Sequence, residues 1–524
     1  MDRRYGAGID GNGHRSAAAT TTGASVLRGG LWYAASFALP QAYTLVVSVA
    51  AARALGTDGM GRQSFISFVE LSMVVLVAGG LPRALVRTIG EQAGRDGGRS
   101  VRALVRWARA LVVGAALLGA GVLLLVGWAR GDLRSAWALA AVACAAAVLH
   151  HVPAAVLSGL QRFREAATVS LVTGAVGAAA TVAVLASGGG IVAMFVVEAA
   201  VTVVNLVWTE AIARRAIASL PPPGPAPDRG PVLRYAGLGT VEVVLALVVW
   251  RRSEFLFLDR WSTDTELAVY SVAFAATAAL ARLPEAVASV VTPAVATLVG
   301  AEHLDRVRAG LGRSVRLLCL LTLPLTAVVL AAGPALLRVV YGEEYRGTGP
   351  VLLVMAAAFP AVPLLRLATG VHAGFGRIGV QLAASAAAAA VDVALAAALV
   401  PAHGAQGAAV ANAAAQVVAA VPIVAYAARL TGGVDWAPAT QARVVAASVL
   451  AGLAAWAGVR AAPGLPGVVL GVAAGAGVFL VAGGLLRVLS REDAAWLRGA
   501  TGRAARPPRA APTAGGPGPG AGAR

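Results

Sequence analysis

The chain has 524 residues, of which 58% are apolar and only 13% charged, and its mean hydropathy is +0.76. That composition lies outside the range of soluble globular proteins and describes a polytopic membrane protein. The formal net charge is +18 and no lysine occurs; with no soluble segment long enough to display a nucleic-acid surface, the arginine excess is read as orienting short loops in a membrane, and nucleic acid is not an expected partner.

Residues 1–25 are polar and lack an apolar core for a cleavable signal peptide, so they read as a disordered tail. Apolar runs long enough to cross a bilayer follow at 31–52, 64–82, 110–128, 136–158, 167–187 and 191–212. Leu220 to Pro231 then reads as a linker, because five prolines within seven residues admit neither helix nor paired strand. Six more runs lie at 233–256, 267–298, 315–340, 348–370, 378–400 and 405–427, and two last ones at 442–460 and 465–487. The expected fold is therefore an all-α polytopic membrane protein of about 14 transmembrane helices. It would comprise an N-lobe (26–219), the linker (220–231), a C-lobe (232–430), two C-terminal helices (431–488) and a disordered tail (489–524), the lobes being pseudo-symmetric and six-helical.

Arginines test the orientation. Loops leaving even-numbered runs are the basic ones: Arg95, Arg99, Arg102 and Arg106 after the second, Arg162 and Arg164 after the fourth, Arg214, Arg215 and Arg229 after the sixth, and Arg306, Arg308, Arg313 and Arg316 after the eighth. The positive-inside rule then makes both termini and the linker cytoplasmic. Trp32, Tyr33, Trp128, Trp261, Tyr341 and Trp456 stand near run ends and fit interfacial anchors. Cys144 and Cys319 lie far apart inside apolar runs and read as buried small hydrophobes. An internal repeat is visible in residues: Gly159-Leu160-Gln161-Arg162-Phe163 matches Gly374-Phe375-Gly376-Arg377-Ile378, and the same offset sets Gly189-Gly190 on Gly404-Ala405. More weakly, Leu81-Pro82-Arg83 matches Leu283-Pro284-Glu285. Six helices return the chain to its starting side, so the repeats are parallel.

Three stretches carry a family resemblance. They are Leu27 to Trp32 with Ala51 to Arg62, Asp259 to Ala273 (Asp-Arg-Trp-Ser-Thr-Asp-Thr-Glu-Leu-Ala-Val-Tyr-Ser-Val-Ala), and Tyr341-Gly342-Glu343-Glu344-Tyr345. In order and spacing they resemble the oligosaccharide-lipid flippases (Wzx-like) of the multidrug/oligosaccharidyl-lipid/polysaccharide exporter superfamily; Ala268 stands where that family usually has Gly. The resemblance implies that a polyprenyl-diphosphate-linked glycan is turned from the inner to the outer leaflet by alternating access, for cell-surface polysaccharide biosynthesis. It implies no cofactor, no covalent chemistry and a monomer meeting membrane lipids and the pathway's glycan polymerase and glycosyltransferases. A sugar-diphosphate head cannot cross hydrocarbon unaided, so a wet cavity with cations is required.

Charges at membrane depth are the site candidates. The family resemblance sets the first, second, seventh and eighth helices around the cavity, which favours Glu70 there and Arg83, Glu242, Arg251, Arg252 and Arg282 as substrate-binding residues. Arg251 and Glu254 are three apart, so an ion pair competes with ligand binding there; Arg83 near a helix end has snorkelling as its plainer explanation. Glu70, Glu198 and Asp392 have no local base and are candidates for ion coupling or for pairing with an arginine of another helix. His150 and His151 are adjacent, hence about 100° apart on a helix, and read as packing residues rather than metal ligands. The competing functions are a lipid II flippase, a cation-coupled multidrug exporter, a membrane-embedded glycan polymerase or ligase, and a structural scaffold. Outside loops of about ten residues or fewer leave little room for the enzyme, and a scaffold has no need of charges at membrane depth.

Overall fold

The computed structural model describes residues 23–222, 224, 228–250, 253–289, 295, 304–375 and 377–489. Residues 38–489 form one compact unit, described below; of the other, 1–37 with 490–524, only the first turns of α1 are described. The described residues are helical almost throughout, as a bilayer demands of a chain that must pair its own backbone groups. The first half comprises α1 (Gly23–Ala78), α2 (Leu81–Asp96), α3 (Val101–Arg130), α4 (Arg134–Gly159), α5 (Phe163–Ala186) and α6 (Ile191–Ala218). The second comprises α7 (Gly230–Trp250), α8 (Glu254–Trp261), α9 (Asp264–Ser289), α10 (Leu304–Tyr341), a 3-10 turn at Glu343–Tyr345, α11 (Thr348–Ala358), α12 (Ala361–Gly374) and α13 (Ile378–Leu430). Two helices follow, α14 (Pro438–Ala461) and α15 (Gly464–Leu485). Among the described residues, ten helical segments are long and apolar enough to cross a membrane.

Several expected loops are shorter than the hydropathy implied. The connection expected across 53–63 is helical except at Gly56, whose φ of 67° and ψ of −176° turn the chain within one residue. Gly404, at φ 49° and ψ −130°, does the same inside α13, so two expected runs fall within each of these helices. Only glycine adopts such angles cheaply. Conversely, the run expected over 64–82 breaks at Gly79–Gly80 and resumes as α2 to Asp96. The seventh run, expected over 233–256, is described as α7 up to Trp250 and as α8 from Glu254, residues 251 and 252 lying outside the described residues.

The repeat has a backbone counterpart. Arg162 N–H donates to Leu157 O at 2.7 Å before α5, and Arg377 N–H donates to His372 O at 2.8 Å before α13. Within the first half α4 packs on α2, α3, α5 and α6; within the second, α13 packs on α7, α8, α9, α11 and α12, while α14 and α15 pack on α10. Tyr341, expected at an interface, is instead buried and shares a 3.2 Å hydrogen bond with Ser48, whereas Trp128, Trp261 and Trp456 are exposed as anchors would be. The side chains of Trp32 and Tyr33 lie outside the described residues. Both cysteines are free thiols.

The halves are fastened together on the face remote from the linker. Aromatic rings step across in a chain from Trp137 to Phe65, Phe68, Phe255, Tyr270 and Phe274, with Phe68 stacked on Phe255 at 5.2 Å. Ser64 Oγ donates to Ser271 Oγ at 3.1 Å in the same buried layer. At the rim Thr265 Oγ1 donates to Asp58 at 2.7 Å, Arg62 pairs with Asp264 at 2.9 Å, and Arg130 pairs with Asp259. The Gly-Glu-Glu-Tyr turn closes the break in α1: the buried Tyr345 hydroxyl reaches Ala52 O at 3.3 Å and Gly56 O at 3.2 Å. Arg53 donates back to Val339 O and Val340 O, each at 2.7 Å. Gly61 meets α9 so closely that a Cβ there would stand 2.0 Å from Asp264 O. Gly61→Ala is therefore expected to destabilise the protein by about 1–3 kcal/mol, and Tyr345→Phe by about 1 kcal/mol. Both are read as lower melting temperatures in detergent, and an unchanged melting curve for Gly61→Ala would contradict this contact.

Candidate functional site

Toward the linker face the two halves meet differently. Gly80 of α2 lies against Gly239 of α7, where a Cβ on Gly80 would come within 2.3 Å of Ala236 O, and Gly80 N–H donates to Thr240 Oγ1 at 3.0 Å. One helical turn on, Arg83 Nη1 donates to Glu242 Oε2 at 2.8 Å while the two side chains stay 61% and 49% exposed. Two of the five expected substrate-binding residues are thus brought together across the halves, and Arg83 is paired rather than snorkelling to an interface. Arg251 and Arg252 lie outside the described residues, as does the side chain of Arg282 in α9.

Beyond this contact a cavity of about 430 Å³ opens between α2, α7 and the linker, lined among others by Arg87, Arg95, Arg234, Tyr235 and Asp228. Arg87 pairs with Glu91 at 2.8 Å and lies 4.9 Å over the Tyr235 ring. Behind it, Ser100 Oγ and the N–H groups of Gly98 and Ser100 all donate to Asp96. The Ser100 hydroxyl above all holds this solvent-exposed carboxyl below its ordinary range. Arg102 fastens the end of α6, donating to the carbonyls of Ile217, Ala218 and Leu220. Arginines that the sequence marked only as orienting charge therefore shape this mouth.

The acids expected to couple ions fall into two groups. In the second half Asp392 is fully buried against Glu254, also fully buried. Ser253 Oγ donates to Asp392 Oδ2 and Asn412 Nδ2 to Glu254 Oε1, both at 2.7 Å, and Gln416 supports Asn412 at 2.5 Å. Among the described residues no N–H or hydroxyl donor reaches Asp392 Oδ1 or Glu254 Oε2, which leaves those two oxygens only each other's carboxyl. The Arg251–Glu254 ion pair weighed from the sequence lies outside the described residues on its arginine side, and no arginine among the described residues pairs with Asp392. In the first half Glu70 is 7% exposed, lies within electrostatic reach of Glu198, and leaves its Oε2 unpartnered. Nearby a cavity of about 290 Å³ is lined by both His150 and His151 with Thr173 and Asn205, among apolar neighbours such as Val74 and Val201. His150 Nε2 shares a 3.3 Å hydrogen bond with Thr209, and Asn205 Nδ2 donates to Thr173 at 3.0 Å. The two histidines thus face one space despite being adjacent, yet no group of three metal-ligating side chains occurs among the described residues. Sequence reasoning singled out Asp392 but missed Asn412 and Ser253. A polar residue in each of two long apolar runs was the available signal.

The fold recurs in solved transporters. It superposes with a TM-score of 0.70 on the lipid II flippase MurJ in an inward closed conformation, at 11% identity over 87% of this chain and 98% of that one. An inward-facing multidrug resistance MATE family transporter of the MOP superfamily gives 0.60, at 13% identity over 79% and 98%. A MOP superfamily transporter from Pyrococcus furiosus gives 0.58, at 13% identity over 78% and 95%. No curated protein matches the chain in sequence. The fold is the one these solved transporters and the flippase share. Residues 52–350, more than half the chain, match the family described as polysaccharide biosynthesis protein, and the chain belongs to that family.

Proposed function

We propose that the protein is a flippase for a polyprenyl-diphosphate-linked saccharide, working by alternating access with both termini and the linker in the cytoplasm of a bacterium. Fourteen spans are taken to form two six-helix lobes and a C-terminal pair. The observation that carries the reading is the contrast between the two ends of the contact between the halves. One end is closed by the aromatic layer and its rim, the other by a glycine contact and a solvated Arg83–Glu242 pair above an arginine-lined mouth. A diphosphate arriving at that mouth meets cations, and its negative charge competes with Glu242 for Arg83. Arg251 and Arg252, which follow Glu242 in sequence, and Arg282 of α9 are proposed to hold it after Arg83. The likeness to a lipid II flippase favours a cell-wall precursor as cargo; the family match supports a surface polysaccharide unit as the second reading.

Coupling is proposed to run through the buried acids. Two negative charges cannot share a site as enclosed as that of Glu254 and Asp392 without a proton or cation between them. Glu70 with Glu198 poses the same problem in the first half. Loading or unloading either site changes the energy of the packing around it, which is the kind of bias a two-state transporter needs.

Vesicles containing only this protein test the assignment. A fluorescent lipid II and a fluorescent polyprenyl-diphosphate oligosaccharide should become accessible to a membrane-impermeant reagent at least about ten-fold faster than in empty vesicles, lipid II the faster, with their masses unchanged. Movement of the oligosaccharide alone would favour the second reading, and movement of neither would remove the proposal. In the same assay Arg83→Glu should slow transfer about ten-fold, and the exchanged pair Arg83→Glu with Glu242→Arg should recover part of it. Asp392→Asn should abolish stimulation by an imposed proton or sodium gradient while leaving downhill transfer; full retention of gradient stimulation would exclude Asp392 from coupling.

A further inference from the structure

A second cationic cavity lies outside the passage. It occupies about 530 Å³ between the start of α5 and the end of α6, and is lined by Gln161, Arg162, Arg164, Glu165, Thr168, Val169, Trp208 and Ile212. The start of α5 and the end of α6 share a membrane face with the linker, because α5 and α6 form one out-and-back pair leading into it. The spans of α5 and α6 are among the least buried in the protein, at 22% and 17%, so this cavity opens to the surrounding membrane rather than between the halves.

Three features define what would fill it. The first is charge. Glu165 is the one acid in the lining and stands 3.4 Å from Arg162, while no acid pairs with Arg164 among the described residues. The nearest acid on α6, Glu210, is already shared by Arg109 and Arg214. The site therefore keeps a positive charge uncompensated. The second is an apolar track leading away from it. Val172 and Val176 follow Thr168 at helical spacing on α5, Val204 precedes Trp208 by one turn on α6, and all three valines are exposed. Trp208 itself stands part-exposed at the boundary between this track and the charged end, the level at which indole rings settle in membranes. The third is Gln161, which adopts a left-handed φ of 59°. In the sequence repeat the position matching Gln161 is Gly376, the residue such a φ ordinarily calls for. Here a longer amide is kept in that conformation, at a cost of about 1 kcal/mol, and it lines the cavity.

A guanidinium pair, an amide and an indole at the head of an exposed apolar groove match a phosphate joined to acyl chains. We propose that this cavity binds the headgroup of an anionic phospholipid in the leaflet on the linker side, with an acyl chain along Val172, Val176 and Val204. A lipid so held would fix the outer wall of the first half while the passage opens and closes. The assignment is independent of which saccharide, if any, the passage carries.

The test uses the full chain purified in detergent and presented with phosphatidylglycerol or phosphatidylcholine. Bound lipid is counted by native mass spectrometry, and contact is read by quenching with brominated lipid. Wild type should retain phosphatidylglycerol at a concentration about ten-fold lower than phosphatidylcholine. The double variant Arg162→Ala with Arg164→Ala should lose that preference at an unchanged melting temperature, whereas Arg162→Lys with Arg164→Lys should keep most of it. Trp208→Phe should remove a large share of the quenching by brominated phosphatidylglycerol. Equal retention of both lipids by wild type, preference surviving in the well-folded alanine variant, or displacement of the lipid by millimolar inorganic phosphate would each overturn the proposal. If the alanine variant fails to fold, a lost preference in the folded lysine variant overturns it and a kept one, with the Trp208→Phe result, supports it.

Discussion

A bilayer core offers polar groups no partner, and the placement of this chain's deep polar side chains follows from that constraint. Helices satisfy the backbone, and among the described residues the acids Glu70, Glu254 and Asp392 are buried inside the protein. Glu254 and Asp392 sit fully buried with Asn412 and Ser253 donating to them. Glu70 lies beside Glu198 in the other half. Each group is costly to bury, and neither is neutralised by an arginine among the described residues. Such an arrangement makes sense where a mobile positive charge completes the site for part of a cycle.

The two ends of the passage differ in what holds them shut. Away from the linker, stacked rings each contribute about 0.5–1.5 kcal/mol beyond their burial. Gly61 there allows backbone to touch backbone, and Tyr345 ties the break in α1 to the second half. Toward the linker the closing elements are a glycine contact and an exposed ion pair, the latter worth about 0–1 kcal/mol. The linker end is thus the easier to part. In the proposed cycle an anionic cargo reaching Arg83 from the arginine-lined mouth would weaken the pair that closes it, and binding would be joined to opening in one interaction.

Much of the fold could be read from residues, because hydropathy and arginine placement both report on crossing a bilayer. The paired halves left a trace in Gly159 to Phe163 and Gly374 to Ile378, whose turns carry the same backbone hydrogen bond. What escaped was whatever depends on contacts distant in sequence. The Gly-Glu-Glu-Tyr turn was legible as a motif, but nothing near Tyr345 announces that its hydroxyl reaches Ala52 and Gly56. Tyr341 was misread as an interfacial anchor because position along a helix says nothing about which side faces a neighbour. Arg83 and Glu242 were each marked, yet their pairing is a property of two helices meeting. Helix ends were misjudged at Gly56 and Gly404, where a single glycine replaces a loop.

The central claim is that the end remote from the linker must open for cargo to leave. Ser64 and Ser271 stand across that seal with their hydroxyls 3.1 Å apart, close enough for a disulfide once both are cysteine. The decisive measurement is transfer of a lipid-linked saccharide by the variant Ser64→Cys with Ser271→Cys, carrying Cys144→Ala and Cys319→Ala, before and after oxidation. The account predicts that oxidation stops transfer and that a reductant restores it. Undiminished transfer by the fully cross-linked protein would contradict it.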